Sequence, residues 1–250
     1  SYRSLSVSNT SSAGKSSTTS EEQDQMVSLY LDSGDWRIFP AYSTRVDGFT
    51  TNPSLAREAG VENYRDFAVQ AVISSLGKPI SLEVLADDWQ TMESQARFLS
   101  GLGTNVYVKI PVSTTNGDST GHLIHALSRE GIKLNVTAIL TFDQIKNFAR
   151  QLYQDTPSIL SIFAGRIADT GINPIYHFSA AAAAKHHNTK LLWASAREVL
   201  NVKQAEQCGA DIITLSPVLL EKTKLFGKDL NQYSLETVKQ FYEDGRGIAF

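Results

Sequence analysis

Side chains with chemical potential recur at alternate positions of short apolar runs in this sequence: Asp32 in "SLYLDS", Glu83 in "PISLEVL" and Lys109 in "NVYVKIPV". Asn135 and Thr137 follow in "KLNVTAIL", Ser161 and Phe163 in "SILSIFAG", and Ser195 in "KLLWAS". A lysine amid valines and isoleucine is the most demanding of these, because an unpaired buried ammonium is costly. Desolvation favours the neutral form of an amine, and a neutral amine attacks carbonyl carbon. The product is a Schiff base, an electron sink that permits C–C bonds to break and form. Carbinolamine dehydration and iminium hydrolysis need an acid/base and a held water, a task for Glu83 with Thr137. Asp32 is suited to exchange a proton with a substrate hydroxyl, and Asn52 and Asn135 to orient an amine or a polyol. The competing structural role for Lys109 is a buried ion pair with Glu83 or Asp32.

Positioning such a set takes a regular frame. From Val27 onward short β-rich runs alternate with longer amphipathic stretches, the pattern of βα units around parallel strands. Eight strands are expected: the six runs quoted, "GFTTN", and "DIITLSP". Helices are expected over 54–76, 88–102, 120–130, 142–154, 175–186, 198–208, 217–223 and 234–244. Thr141 followed by Gln144 marks a capping box at one helix start. Eight βα units fit a (β/α)8 TIM barrel. The competitor, an open doubly wound sheet, lacks a Gly-rich phosphate loop after its first strand.

Strand side chains alternate between faces, so parity predicts direction. Leu29, Leu31, Leu82, Val84, Val106, Val108, Ile110, Leu134, Val136, Ala138, Leu160 and Ile162 are expected to face the helices. Tyr30, Asp32, Glu83, Tyr107, Lys109, Asn135, Thr137, Ser161, Phe163, Trp193 and Ser195 are expected inside. A structural barrel interior is filled with Val, Ile and Leu. Seven polar groups on one parity point instead to an active site at the C-terminal ends of the strands. Arg166 in "FAGRIAD" and Arg197 in "WASAR" follow the sixth and seventh strands; with Ser195 they form a candidate phosphate site. Each arginine alone is more often a surface ion-pair partner; it is the pair at the strand ends that favours a phosphate site.

Other features bound the function. With 23 basic and 26 acidic residues the net charge is −3, and no basic stripe suggests nucleic acid as a partner. No apolar run approaches the roughly 18 residues that span a bilayer, so no membrane association is expected. The lone Cys208 forms no intrachain disulfide and suggests a reducing compartment such as the cytoplasm; in its amphipathic helix it reads as a structural thiol. Neither His186-His187 nor His122 and His125 come with the further ligands of a metal site. Residues 1–25 begin with a Ser/Thr-rich, acid-poor stretch expected to be disordered. It is either a flexible extension or the remnant of a transit peptide, which would place the protein in an organelle stroma or matrix. A sequon at Asn9-Thr10-Ser11 has no other sign of secretion beside it. The barrel is expected over residues 26–250.

The motifs "LDSGD", "GFTTNPSL", "ISLEV", "VKIPV", "GIKLNVTAILT", "SIFAGRIADTG" and "WASARE" span nearly all the chain after the tail. Together they resemble the transaldolase family of Schiff-base-forming class I aldolases, particularly its short-chain members that include fructose-6-phosphate aldolase. The resemblance implies that Lys109 is the Schiff-base lysine, Asp32 the acid/base on the donor hydroxyl, and Glu83 with Thr137 the holders of the catalytic water. Asn52, Asn135 and Ser161 would contact the substrate, with Phe163 in the "S-x-F" motif beside it; Ser195, Arg197 and Arg166 would bind the phosphate. It implies no cofactor and no metal. In the family, transaldolases tend to carry Glu on the third strand and Phe in that motif, where the aldolase branch has Gln and Tyr. Glu83 and Phe163 thus favour a transferase that moves dihydroxyacetone between sugar phosphates, as in the pentose phosphate pathway. The alternatives are an aldolase that releases free dihydroxyacetone, and a non-catalytic barrel serving as a binding subunit. The resemblance further implies a homo-oligomer, with the helix over 234–244 packing on a neighbour. Two departures stand out: the loop "STTNGDSTG", long and polar beside Lys109, which would affect acceptor choice, and Ala196, where a bulkier residue is common.

Overall fold

The computed structural model describes residues 26–249; the expectations for residues 1–25 lie outside them. Eight parallel strands close on themselves in sequence order, β1 pairing with β8. They are β1 (Ser28–Asp32), β2 (Gly48–Thr50), β3 (Ile80–Glu83), β4 (Val106–Pro111), β5 (Leu134–Ile139), β6 (Ser158–Ile162), β7 (Thr189–Trp193) and β8 (Ile212–Leu215). This is the TIM barrel the alternation of elements predicts. The helices are α1 (Phe39–Tyr42), α2 (Pro53–Glu58), α3 (Tyr64–Ser74), α4 (Trp89–Ser100), α5 (Gly121–Arg129), α6 (Phe142–Gln151), α7 (Ala164–Asp169), α8 (Ile175–Ala184), α9 (Asn201–Gln207), α10 (Pro217–Lys222) and α11 (Leu230–Gly245).

Local signals place most boundaries. Thr141 and Gln144 form the expected reciprocal capping box on α6. Asp88 caps α4 by accepting the Thr91 amide. The predicted helix over 54–76 is two helices: Gly60 takes φ +80°, a left-handed turn that ends α2, and Asn63 caps α3. Two short helices, α1 and α7, lie where no helix was expected; neither is long enough to leave a periodic pattern.

The outward strand residues, including Leu31, Leu82, Val106, Val108, Ile110, Leu134, Val136 and Leu160, form one core cluster with the helices. A second, smaller cluster fills the barrel floor: Tyr30, Ile159, Leu192, Ala194 and Ile212, with Tyr107 and Phe163 against it. The parity of β7 therefore runs opposite to expectation. Leu192 and Ala194 point inward, while Trp193 is buried among the helices and stacks on Phe178 of α8 at 5.2 Å. The bulky ring goes where helix packing accommodates it, and two smaller side chains fill the tapering interior.

β5 carries a bulge. Its register against β6 shifts between Val136 and Ile139, and Ala138 adopts φ +65°. The extra residue lets Asn135 and Thr137 face inward while Ile139 joins the outer core. Bulges next to active sites re-aim side chains, and this one closes the polar row on β5 directly after Thr137.

Candidate active site

Lys109 and Glu83 are register neighbours on β4 and β3, and their inward parity brings amine and carboxylate together. Lys109 Nζ lies 3.3 Å from Glu83 Oε2 and donates to the Thr51 carbonyl at 2.9 Å. The side chains are 7% and 15% exposed, respectively. The lysine is thus a buried amine with one anionic and one neutral acceptor. A buried pair of this kind is weak evidence for stability, since desolvation offsets much of its attraction.

Around it, hydroxyls and amides form two chains. Thr50 Oγ1 donates to Asp32 Oδ1 at 2.9 Å and shares a hydrogen bond of 2.5 Å with Thr214 Oγ1. Across the barrel, Ser161 Oγ donates to Asn135 Oδ1 at 2.6 Å, and Asn135 Nδ2 donates to Ser81 Oγ at 3.0 Å. Asn135 keeps one donor and one acceptor position for another partner. Thr137 Oγ1 is buried and has no hydrogen-bond partner among the protein atoms. Burial raises the Asp32 carboxyl above the ordinary carboxylate range, Lys109 and the Thr50 hydroxyl pull it back, and Glu83 adds to the rise.

These groups line one cavity of about 220 Å³ at the C-terminal ends of the strands. Of the sequence-predicted residues, Asp32, Asn52, Lys109, Asn135, Thr137, Ser161, Phe163, Arg166, Ser195 and Arg197 all lie on its wall. Glu83 reaches this wall through its contact with Lys109. Asn52 also serves the fold, its Oδ1 accepting the Leu55 amide to cap α2. Ser195 arrives by a route parity does not describe: it follows the end of β7 and takes φ +61°, which turns the chain back toward the cavity.

The basic end of the cavity is built from the loops after β6 and β7. Arg166 is exposed on α7. Arg197 binds Asp169 in a forked pair, Nε to Oδ1 at 3.1 Å and Nη2 to Oδ2 at 2.6 Å. That carboxyl is held below its ordinary range, chiefly by Arg197. The two loops touch at Gly165, where a Cβ would fall 1.5 Å from the Ser195 carbonyl oxygen.

Thr50, Thr214 and Ser216 also line the cavity and were not among the predicted set. Alternation along "GFTTN" and "IITLS" places Thr50 with Asn52 and Thr214 with Ser216, so the same parity argument applied to β2 and β8 finds all three. The long loop after β4 is a small hairpin: Ser113 and Ser119 form an antiparallel bridge, and the Thr115 amide and hydroxyl both donate to the Asp87 carboxylate. Pinned there, it contributes no residue to the cavity wall, and its expected effect on acceptor choice gains no support from direct contact.

Away from the cavity, His125 Nδ1 faces the Gln151 carbonyl and His122 packs edge-on against Trp89. Among the described residues no three His, Cys, Asp or Glu side chains are placed to hold a metal ion, and no helix is long and apolar enough to cross a membrane. Burial pushes the Cys208 thiol up to about 11, far from a reactive thiolate.

The fold is similar to that of solved barrels at low identity. An N-acetylneuraminate lyase from Mycoplasma synoviae aligns with TM-score 0.55 and 11% identity, over 88% of this chain and 81% of that one. The tryptophan synthase A-subunit of Pyrococcus furiosus aligns with TM-score 0.56 and 12% identity, over 84% and 94%. Sequence comparison reaches further. A "Probable transaldolase" of Methanococcus maripaludis is 34% identical over 194 residues, 76% of this chain and 85% of the relative. A "Probable transaldolase" of Brucella anthropi is 32% identical over 210 residues, 82% of this chain and 90% of the relative. Residues 29–248, from the first strand of the barrel to beyond its last helix, match a single family, and the chain belongs to it: Transaldolase/Fructose-6-phosphate aldolase.

Proposed function

We propose that the chain is a transaldolase that moves a dihydroxyacetone unit from a ketose phosphate, of the sedoheptulose 7-phosphate or fructose 6-phosphate type, to an aldose phosphate. The observation that carries this reading is the buried Lys109 amine beside Glu83, opening onto a cavity with Asp32 on its wall and Arg166 and Arg197 at its basic end.

The steps follow from the groups present. Glu83 takes a proton from the Lys109 ammonium, and the free amine adds to the ketone carbon C2. The C=O π electrons move to oxygen, which takes the proton shed by the new C–N nitrogen to give the carbinolamine. Protonated Glu83 then gives its proton to the carbinolamine hydroxyl, which leaves as water while the nitrogen lone pair closes the C=N bond. Thr137 offers that water a hydroxyl with no competing protein partner. Asp32 takes the proton of the C4 hydroxyl. The C3–C4 electrons flow into the iminium, an aldose phosphate departs, and an enamine stays on Lys109. An acceptor aldehyde reverses these steps, Asp32 returning its proton to the new hydroxyl. The iminium formed on Lys109 is the electron sink, so the chemistry calls for no cofactor. Arg166, Arg197 and Ser195 hold the phosphate by charge-assisted hydrogen bonds, and Asn52, Asn135 and Ser161 orient the sugar hydroxyls.

Transfer is favoured over free cleavage because Phe163 presents an apolar ring rather than a hydroxyl that would hold a hydrolytic water beside the iminium. The reading includes self-association through α11. None of its residues is buried, and Leu235, Val238 and Phe241 form an exposed apolar stripe. Light scattering on the intact protein, with Phe241→Glu as the disrupted form, measures this directly.

The primary test is borohydride reduction with fructose 6-phosphate followed by mass spectrometry. An adduct of dihydroxyacetone mass on Lys109 is expected; its absence with every ketose phosphate tried would end the Schiff-base reading. Cleavage that runs equally well without erythrose 4-phosphate would identify an aldolase instead. Glu83→Gln should shift partitioning toward free dihydroxyacetone, and unchanged partitioning would remove the role given to Glu83.

A further inference from the structure

The Lys109–Glu83 pair links two cavities, each residue lining one of them. Lys109 lines the main one; Glu83 lines a second, of about 130 Å³, set between α3, α4 and the end of β3. The second cavity is walled by Tyr64 and Arg65 of α3, by Gln95, Phe98 and Leu99 of α4, and by Leu85 just beyond β3. Arg65 and Leu85 are exposed, so this space reaches solvent on the flank of the barrel, away from the substrate mouth. Its size corresponds to about four waters at roughly 30 Å³ each. Its lining is largely apolar, with Tyr64, Arg65, Gln95 and Glu83 as the polar residues that can hold water. The Tyr64 oxygen accepts the Glu83 amide at 3.1 Å, which fixes the end of β3 and leaves the phenol proton for another partner. Burial raises the Tyr64 hydroxyl well above its ordinary range, so it keeps that proton.

Resting on the Schiff-base reading, we propose that this flank cavity is the water reservoir of the reaction. A bound ketose phosphate fills the main cavity, yet carbinolamine dehydration must release one water and iminium hydrolysis must take one up. In dehydration the C2–O bond breaks, the Glu83 carboxylic acid protonates the departing hydroxyl, and the water passes Glu83 into the flank cavity. In hydrolysis a water from that cavity adds its oxygen to C2, and its proton goes to the Glu83 carboxylate. Access to this space then sets how often the dihydroxyacetone iminium is hydrolysed before an acceptor arrives. The flank cavity, and not the mouth alone, governs the balance between transfer and free cleavage.

The test is oxygen exchange. Each dehydration and rehydration replaces the C2 oxygen of the ketose with solvent oxygen, so exchange in ¹⁸O-water, corrected for the enzyme-free rate, reads the step directly. Leu85 is 48% exposed and tolerates replacement. Leu85→Trp, which covers the opening, should slow exchange by about threefold or more, and Leu85→Ala should speed it. Arg65→Trp covers the opening from α3 and should match Leu85→Trp; an effect confined to the Leu85 variant would mark a disturbance of β3 and overturn the proposal. Equal exchange in all variants, with the borohydride adduct on Lys109 intact, overturns the reservoir alone. No adduct in the unaltered protein overturns the Schiff-base reading and the reservoir with it.

Discussion

Two ion pairs border the same cavity, and they are built to opposite specifications. Lys109 and Glu83 are almost sealed, at 7% and 15% exposure, with a loose 3.3 Å contact. Arg197 and Asp169 are 50% and 54% exposed, with forked geometry and a 2.6 Å contact. The first sets an amine and a carboxylate side by side with little access to bulk solvent. The second keeps a guanidinium charged and oriented while leaving edges free for an incoming anion. The two pairs thus differ in both burial and contact geometry.

Substitutions sharpen that contrast, the largest effect first. Lys109→Met should abolish the borohydride adduct and lower turnover by more than roughly 10,000-fold, because no other group supplies the amine; steady-state assay and mass spectrometry read both. Asp32→Asn should lower turnover roughly 100- to 1,000-fold. In the proposed mechanism cleavage needs ionised Asp32, so its raised pKa puts the acid limb of the unaltered enzyme above the ordinary aspartate value of about 3.9. Activity therefore falls as pH drops through that raised value, and the limb should vanish in the Asn variant. The same shift has a stability sign. A carboxyl raised in the folded state loses stability as pH climbs from the unfolded value to the folded one, and above that the penalty is complete. Asp32→Asn should accordingly melt higher than the unaltered protein at pH 7 by calorimetry.

At the exposed pair the effects shrink and move to KM. Arg197→Ala should raise KM for the sugar phosphate by about tenfold or more, with kcat changed less, as charge-assisted hydrogen bonds to the phosphate are lost. Asp169→Asn should raise it by less than about fivefold, since an exposed partner only orients Arg197. If Asp169→Asn proved as damaging as Arg197→Ala, the orienting role would have to be exchanged for direct contact with substrate.

Much of this site was legible because alternation is a hard geometric rule. Where β-rich runs kept period two, as in β1, β3, β4 and in β5 up to its bulge, the residues predicted inward are inward: Tyr30, Asp32, Glu83, Tyr107, Lys109, Asn135 and Thr137. In β7 the rule was anchored on the wrong residue. Nothing in "KLLWAS" says that Trp193 has a partner in Phe178, a contact between residues that only the tertiary fold brings together. Ser195 was placed in the cavity for the wrong reason, since a non-glycine at φ +61° leaves no mark in composition. The helix break at Gly60 did have a signal, a glycine inside a helical pattern. The flank cavity had none: it is enclosed by residues of α3, α4 and β3 whose spacing reports only ordinary amphipathic helices.

The contact of Gly165 with the Ser195 carbonyl oxygen makes the loops after β6 and β7 one unit of inheritance. Any side chain at 165 displaces the backbone that carries Ser195 and Arg197, and through Asp169 the second loop grips the helix that begins beside Gly165. Exchanging either loop alone with that of another barrel would break both halves of the basic end. A designer reshaping this end of the cavity has to transplant the pair together, and a lineage in which either loop changes is held to the same coupled path.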